Sequence, residues 1–287
     1  MEPSSERIDI NGLYQTFFRL KLIHNWEEEI VYRQGLGSNQ VLPIKRYSTP
    51  NKGNAIWLIS GIHGEEPAGP NALARNINFL ISLGKRTPLV LFPLCNPLSY
   101  LRNWRYPTQE KWSKDLPNIS VADSEHYLLD TQDPTKPRRE KPVCDEARNL
   151  TNEILRLSQK YPPAICLDLH EDNMINQAYI YSYGTDEKLK KYLAKEIIST
   201  LKKTKIEIPK RGKTRFNEQI VNGVIKGTKD SSIDEFISSR YIFKKRIIPG
   251  PSARAAFVIE TPANSISLEQ RITAHSEVIK LLETISF

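Results

Sequence analysis

Residues 55–67, AIWLISGIHGEEP, decide the fold class of this 287-residue chain. A short apolar run that ends in a glycine predicts a buried strand over 55–60. Proline is favoured at the first position of a helix, so Glu66-Pro67 predicts a helix that runs to about Leu83. A strand that leads through a polar turn into a helix is typical of proteins with a parallel sheet.

The same alternation continues along the chain. We expect further strands over 88–94, 164–169, 178–183 and 255–260, and helices over 143–160, 186–203 and 267–284. This order predicts an α/β fold, a three-layer sandwich with a mixed, mostly parallel central sheet and helices on both faces. Residues 95–142 are rich in Pro, Asn, Asp and Arg and predict one long loop, which at that length is usually functional or disordered. The length suits a single domain over 1–287.

The composition excludes several classes of protein. Hydrophobic residues make up 39% of the chain and aromatic residues 9%, which provides a full core and argues against disorder. No apolar stretch approaches about 18 residues, so we expect no membrane span. The first residues, MEPSSERIDI, lack a signal-peptide pattern, and we expect a cytoplasmic protein. Cys95, Cys144 and Cys166 have the spacing of neither a zinc knuckle nor a disulfide framework, and a reducing compartment fits best. Cys95 and Cys166 lie in apolar runs, so we expect them to be buried.

The net charge of +8 favours anionic partners in general. Many of the lysines lie in a cluster over 188–213, where a solvated helix face followed by an exposed loop is the simplest interpretation. No nucleic-acid-reading motif stands beside this cluster, so nucleic acid is not an expected partner. The sequence makes no prediction about the oligomeric state.

Polar residues stand at the ends of four predicted strands. They are His63, Glu65 and Glu66 after the first strand, Asn96 after the second, Asp168, His170, Glu171 and Asp172 at the third, and Glu260 at the last. In open α/β sheets, ligands bind beyond the carboxyl ends of the strands. These residues are far apart in sequence, but the predicted topology brings them to one edge of the sheet.

The residue types at this edge predict a zinc site. His63 and Glu66, three apart on a strand-to-helix turn, can point at one ion, and His170 can supply a third ligand. Two histidines and one glutamate are a known ligand set of catalytic zinc, which keeps a fourth position for water. Glu65 is the competing carboxylate, and we expect it on the opposite side of the turn. Asp168 can accept the proton on the other nitrogen of a ligating histidine.

The ordered set of His63, Glu66, His170 and Glu260 resembles the zinc carboxypeptidase superfamily, which includes the succinylglutamate desuccinylase and aspartoacylase branch. The resemblance covers about residues 40–285. Two further segments agree with it, Asn96-Pro97 followed by Arg102-Asn103-Trp104-Arg105, and Ser232-Ile233-Asp234. It implies that Glu260 is the general base and that Arg105 polarises the scissile carbonyl and stabilises the oxyanion.

The implied activity is zinc-dependent hydrolysis of an amide or peptide bond in a small peptide-like substrate. Zinc lowers the pKa of a bound water towards about 7, and Glu260 would pass the proton of that water to the leaving nitrogen. One alternative is an aspartoacylase-like deacylase that acts on N-acyl amino acids. A second is a basic binding protein that has lost activity on a hydrolase scaffold.

The sequence departs from the family where carboxypeptidases bind the substrate carboxylate through Asp-x-Asn-Arg. When Asp123 is aligned with that aspartate, Glu125 and His126 stand where Asn and Arg belong. A glutamate would repel a substrate carboxylate, which argues against ordinary C-terminal trimming and against acidic acyl substrates. The family's pocket tyrosine is also missing, with Ile237 near its place and Tyr241 close by.

Three interpretations of Glu125 and His126 remain open. They could recognise an amine, bind a second metal together with Glu171 or Asp172, or only stabilise the loop by hydrogen bonds. Asp123 and Asp168 are expected to support the site residues without binding the metal. Five arginines could replace the lost carboxylate clamp, and the sequence does not choose between Arg102, Arg138, Arg139, Arg215 and Arg254.

Overall fold

The computed structural model describes residues 7–37, 40–111 and 119–285. The helices in these ranges are α1 (Ile10–His24), α2 (Ala68–Arg75), α3 (Ile77–Gly84), α4 (Pro97–Arg102), α5 (Asp145–Ser158), α6 (Glu187–Lys203), α7 (Ile233–Ser238) and α8 (Leu268–Leu281). The strands are β1 (Glu27–Gly37), β2 (Gln40–Ser48), β3 (Ala55–Ser60), β4 (Leu89–Phe92), β5 (Pro163–Asp172), β6 (Tyr179–Tyr183), β7 (Arg211–Lys213), β8 (Gln219–Val221), β9 (Val224–Lys226), β10 (Tyr241–Phe243), β11 (Ile247–Pro249) and β12 (Ala255–Pro262). A short 3₁₀ turn, Leu282–Thr284, follows α8.

Ten of these strands form one mixed sheet in the order β1-β2-β4-β3-β5-β12-β6-β9-β8-β7. The four central strands, β4, β3, β5 and β12, run parallel to one another. Antiparallel strands flank them on both sides, and β10 and β11 form a separate hairpin. The carboxyl ends of the central strands therefore meet at one edge, as the sequence predicted.

Helices cover both faces of the sheet. α1, α2, α3, α6 and α8 contribute to one apolar core, with buried residues such as Leu73, Ile197 and Ile279. α5 and α7 contribute to the core on the opposite face, with residues such as Ile154 and Phe236. Because β3 and β5 are buried along nearly their whole length, they read as continuous apolar runs in the sequence. The predicted three-layer α/β sandwich is confirmed.

The register of the central strands sets the positions of the polar side chains. Glu260 on β12 lies opposite His170 on β5, and Val258 lies opposite Asp168. On the other side of β12, Tyr179 on β6 lies opposite Glu260. Side chains alternate between the faces of a strand, so these five residues share the face that carries α5 and α7.

Two elements differ from the sequence predictions. The helix expected to run to about Leu83 is divided at Asn76, whose amide donates to the carbonyl of Ala72 and whose backbone leaves helical geometry. The predicted loop over 95–142 contains α4, because the Asn96 side chain accepts a hydrogen bond from the Ser99 N–H and caps a short helix. Both differences arise from local side-chain hydrogen bonds.

The structure bears on two predictions from the composition, which concern membrane spans and the cysteines. Among the helices of the described residues, none has the length and apolarity needed to cross a membrane. All three cysteines are free, and Cys95 and Cys166 are buried in the core as expected. Cys144 is only partly buried, and its sulfur accepts a hydrogen bond from the Ala147 N–H at the start of α5.

Candidate metal centre

The turn after β3 places His63 and Glu66 on the same side of the chain. Gly61 adopts a left-handed φ of 65°, which allows the chain to leave the strand sharply. The Glu66 N–H then donates to the His63 carbonyl at 3.3 Å and closes the turn. The Asn96 side-chain amide also stabilises the turn by donating a hydrogen bond of 3.3 Å to the carbonyl of Ile62.

Three proposed ligands meet beyond the ends of β3 and β5. Glu66 Oε1 lies 2.8 Å from His63 Nδ1, and Glu66 Oε2 lies 2.9 Å from His170 Nδ1. The ligand atoms of all three residues lie within 4.8 Å of one another. Within the described ranges, no other group of three or more His, Cys, Asp or Glu could hold a metal ion. Two imidazole nitrogens and a carboxylate fit the ligand chemistry of catalytic zinc.

Asp168 supports His170 from the side away from Glu66. Its Oδ2 lies 3.0 Å from His170 Nε2, and its side chain is 1% exposed. This contact leaves His170 Nδ1 directed at Glu66, which is the orientation that a ligating histidine needs. Burial alone would lower the pKa of His170, but the carboxylates of Asp168 and Glu66 raise it well above its usual value in the metal-free protein.

The other two proposed ligands are held in the protonation states that bind metal ions. Burial and then the charge of Arg105 lower the pKa of His63 to about 4, so its imidazole is neutral at pH 7. Burial alone would raise the pKa of Glu66, but His63, His170 and Arg105 lower it well below its usual value. A neutral imidazole and an ionised carboxylate are both ready to coordinate.

Arg105 reaches the cluster of three proposed ligands from the loop after α4. Its Nη1 donates to Glu66 Oε1 at 2.8 Å and to Glu65 Oε1 at 2.9 Å. Glu65 therefore binds the arginine and lies outside the three-residue cluster, as the sequence suggested. The guanidinium is nearly buried and also lines the cavity described below. Its role in stabilising an oxyanion remains a prediction.

Gly64 is a position at which the turn tolerates no side chain. A Cβ atom there would lie 2.0 Å from the Ser99 carbonyl carbon and 2.2 Å from the Tyr100 nitrogen. Because both atoms are backbone, Gly64→Ala must push the turn away from α4. We expect the free energy of unfolding, measured by urea denaturation, to fall by about 1–3 kcal/mol or more.

Gly35→Ala is the matched control for this variant. Gly35 is exposed on β1, and no atom lies within 4 Å of the position that its Cβ would take. Its free energy of unfolding should change by less than about 0.5 kcal/mol. Equal stability of the two variants would show that the close approach at Gly64 does not constrain the turn.

Glu260 stands beside His170 at the end of β12 and lines the same cavity. Its Oε2 is buried and has no hydrogen-bond partner among the described residues. Burial raises the pKa of Glu260 to about 8 against the opposing charge of His170, and the carboxylate of Glu66 adds to the increase. A carboxyl with a free oxygen and a pKa near neutrality is suited to exchange protons at pH 7.

A cavity of about 460 Å³ opens over the cluster. The loops over 214–218 and 230–234 contribute to its walls, together with β5, β6 and β12. Among the lining residues that the structure describes, eight are Asp or Glu and two are Arg. The described lining therefore contains more acidic than basic residues, although the chain as a whole is basic.

The aromatic wall of this cavity was not predicted from the sequence. Tyr179 and Tyr181 line it from β6, and Glu218 and Asp230 line it from the loops. The alternation in YIYSY places Tyr179, Tyr181 and Tyr183 on one face, which is a detectable signal. The same alternation is also typical of an ordinary core strand, so it did not indicate a site.

Glu125 and His126 lie outside the described lining of the cavity. The Glu125 carboxylate lies 2.7 Å from Arg139 Nε and accepts a hydrogen bond from the Ser231 hydroxyl at 3.3 Å. His126 Nε2 lies 3.1 Å from the Thr151 hydroxyl. Of the three interpretations, this geometry favours hydrogen bonds that stabilise the loop.

The other acidic residues at the strand ends have partners of their own. Glu171 accepts hydrogen bonds from Arg271 and, at 2.7 Å, from the Ala68 N–H at the start of α2. Asp172 accepts a hydrogen bond of 2.6 Å from the Tyr179 hydroxyl. Both line the cavity, but among the described residues neither belongs to a second group that could hold a metal ion.

Asp123 lines the cavity and accepts a hydrogen bond of 3.1 Å from the Glu125 N–H. Burial raises its pKa to about 6. It therefore stabilises the loop and presents a carboxyl to the cavity, without contributing to the three-residue metal cluster.

Of the five arginines considered for a carboxylate clamp, Arg215 is the one that lines the described part of the cavity. The other four have contacts elsewhere, Arg138 with Glu235, Arg139 with Glu125, Arg254 with Asp186, and Arg102 over the ring of Trp104. Position therefore distinguishes Arg215 from the other four arginines, and a role in binding a substrate carboxylate stays a prediction.

Solved structures with the same fold include three named peptidases. A protein from Shewanella baltica, named "Putative metallopeptidase", is 20% identical, with 96% of this chain and 92% of that chain covered and a TM-score of 0.75. A metallo-carboxypeptidase from Burkholderia cenocepacia is 10% identical over 96% and 69% of the two chains, with a TM-score of 0.60. Carboxypeptidase A from Helicoverpa armigera is 11% identical over 97% and 73%, with a TM-score of 0.58.

These similarities show that the chain shares its fold with solved structures named metallopeptidases and carboxypeptidases. No protein-family model matches the sequence. No curated protein matches it either. The similarity is therefore one of fold, and the activity has to be argued from the residues of the site.

Proposed function

We propose that this chain is a metal-dependent hydrolase that cleaves an amide or peptide bond in a small peptide-like substrate. In this proposal, one Zn²⁺ is bound by His63, Glu66 and His170. The observation that carries it is the convergence of three N/O ligand atoms within 4.8 Å, beside a cavity that also contains Glu260 and Arg105. The solved structures of the same fold that are named metallopeptidases and carboxypeptidases support the proposal.

Zinc, when bound, would supply a Lewis acid for the carbonyl and a water of lowered pKa. The protein residues then have separate tasks. Asp168 holds the His170 ring in its ligating orientation. Glu260 accepts a proton through its free carboxyl oxygen and returns it to the leaving nitrogen. The Arg105 guanidinium, which is already fixed by two carboxylates, donates hydrogen bonds to the negative charge that develops on the carbonyl oxygen.

The cavity favours a peptide-like substrate over an acidic N-acyl amino acid. A volume of about 460 Å³ lies in the ordinary range for small-molecule sites. Carboxyl residues outnumber arginines in the described lining, and those that are ionised would repel a dicarboxylate, which is what an aspartoacylase-like enzyme must bind. Deacylation of a non-acidic N-acyl amino acid uses the same machinery and remains the alternative to be separated by experiment.

A substrate panel on zinc-loaded protein tests the proposal. The panel contains blocked dipeptides, muropeptide fragments and N-acetyl amino acids, and released amines are quantified. We expect at least one peptide to be cleaved at least about a hundredfold faster than by the metal-free protein. Chelation should remove the activity, and one equivalent of zinc should restore it.

Two results would contradict the proposal. Protein that binds one equivalent of zinc but cleaves no amide in the panel would argue against a hydrolase. Protein that cannot be loaded with zinc and that binds nucleic acid in a salt-sensitive manner would indicate the inactive, basic binding protein. Exclusive cleavage of N-acetyl amino acids would replace the peptide substrate by the deacylase alternative.

A further inference from the structure

Strand β6 carries tyrosines at three alternate positions, and each one donates its hydroxyl to a carboxylate. The pairs are Tyr179 with Asp172 at 2.6 Å, Tyr181 with Glu218 at 2.7 Å, and Tyr183 with Asp230 at 2.6 Å. The rings also contact one another along the strand, with centroids 5.8 and 6.5 Å apart. One side of the cavity is therefore both aromatic and negatively charged.

Asp234 adds a carboxyl group near Asp168 and His170, and burial together with the charge of Asp168 raises its pKa well above the usual value. It lies in the first turn of α7, is 1% exposed and lines the cavity. Its Oδ1 is buried and has no hydrogen-bond partner among the described residues. A buried carboxyl oxygen without a partner is unfavourable, and a donor supplied by a ligand in the cavity would satisfy it.

The charges around the cavity favour a cation. Of the two described arginines in the lining, Arg105 already pairs with Glu65 and Glu66. The other, Arg215, lies over the ring of Phe216, with its guanidinium carbon 5.0 Å from the ring centroid. No lysine stands among the described lining residues. A cationic group beside Glu218 and Asp230 would gain favourable interactions that an anionic group at the same place would not.

We propose that Tyr181, Glu218, Asp230 and Asp234, here called the acidic wall, bind a positively charged group of the substrate. This inference rests on the proposed function, because it names the class of substrate that the same cavity hydrolyses. The ligand is an ammonium or guanidinium on a flexible side chain. Carboxylates satisfy its N–H donors, and the tyrosine faces contact its charge. Amine recognition is thereby placed on β6 and the loops beside it, and not on Glu125.

Binding of free amino acids to zinc-loaded protein tests the acidic wall without any turnover. The probes are two matched pairs, L-lysine against L-norleucine and L-arginine against L-citrulline, titrated by calorimetry. We expect the charged member of at least one pair to bind at least about tenfold more tightly, since hydrogen bonds to charged groups are the stronger ones. The pair with the larger ratio distinguishes an ammonium from a guanidinium.

Variants of the acidic wall test whether its carboxylates cause the preference for charged probes. Asp230→Asn and Glu218→Gln should each reduce the ratio of charged to neutral affinity by about tenfold. Two variants are used because Asp230 also accepts hydrogen bonds from Thr228 and from the Ser232 N–H, and its replacement could disturb the loop. Asp145→Asn is the matched control, because Asp145 is exposed in the first turn of α5 and should leave the ratio unchanged.

Hydrolysis of blocked dipeptides that end in lysine or norleucine separates this inference from the proposed function. Tighter binding of the charged probes without cleavage of any substrate would support the acidic wall and contradict the hydrolase. Cleavage of the norleucine peptide as fast as the lysine peptide, with equal affinities, would overturn the acidic wall and leave the hydrolase intact. A second bound zinc that is lost in Asp230→Asn would also overturn it, because the wall would then hold a metal.

Discussion

Glu260→Gln is expected to lower kcat for amide hydrolysis at least about a hundredfold while one zinc stays bound. Glutamine keeps the size of the side chain but cannot accept a proton at neutral pH. Glu260 is not part of the three-residue cluster, so its replacement removes no ligand. The measurements are kcat on the best substrate of the panel and zinc content by elemental analysis.

Glu187→Gln is the matched control for this variant. Its side chain is 71% exposed on α6, where it pairs with Lys190, and both kcat and zinc content should stay at the wild-type level. Full activity in Glu260→Gln would contradict the general-base assignment. Loss of zinc together with activity would instead mean that Glu260 helps to bind the metal.

Stability measurements show whether lost activity reflects a damaged fold. Burial raises the pKa of Glu260 to about 8 in the metal-free protein. At a pH above the pKa of the unfolded state, the unfolded chain can ionise this carboxyl more easily than the folded protein, which lowers the free energy of unfolding. This penalty is absent at low pH and grows as pH rises through the range between the two pKa values. Neutral glutamine removes this penalty. At pH 7.5, the free energy of unfolding of metal-free Glu260→Gln, measured by urea denaturation, should be at least as high as that of metal-free wild type.

The centre of the fold was predictable because buried parallel strands carry the strongest signal in a sequence. β3, β4, β5 and β12 are apolar on both faces, so each appears as a short apolar run that ends in polar residues. Once the strands are known to be parallel and adjacent, their ends must meet. His63, Glu66, His170 and Glu260 could therefore be grouped without knowledge of any distance.

The edge of the sheet was not predictable in the same way. β1 begins with three glutamates and has no regular alternation of buried and exposed residues. Two of these glutamates interact with Arg46 on β2, whose side chain is fully buried and also contacts Glu153 on α5. A buried arginine that depends on partners from two other elements is a tertiary arrangement, and no local sequence pattern predicts it.

The walls of the cavity were predicted only in part for a similar reason. Alignment with a family motif makes Glu125 and His126 candidates for binding, but they contact Arg139 and Thr151 and lie outside the described lining. The tyrosines of β6 read as core residues, and their partners come from loops with no periodicity. Strand ends can be placed from sequence, whereas loop side chains are placed by the contacts of the folded protein.

His63→Ala is expected to abolish zinc retention. His63 supplies one of three ligands, and its ring is fixed between Glu66, at 2.8 Å, and Tyr106, whose ring lies edge-on with centroids 5.8 Å apart. Loss of a supporting residue alone usually weakens metal binding about 10- to 100-fold, so loss of a ligand should exceed that. After dialysis against zinc-free buffer, the variant should contain less than about a tenth of the wild-type zinc, measured by elemental analysis.

His24→Ala is the control, because it removes a histidine at the end of α1, outside the metal cluster, and should leave zinc content unchanged. Substoichiometric zinc in His63→Ala with a normal fold would identify the ligand directly. Retention of a full equivalent would require another set of ligands. No other described group of His, Cys, Asp and Glu could provide it, so that result would contradict the proposed metal centre and the hydrolase mechanism together.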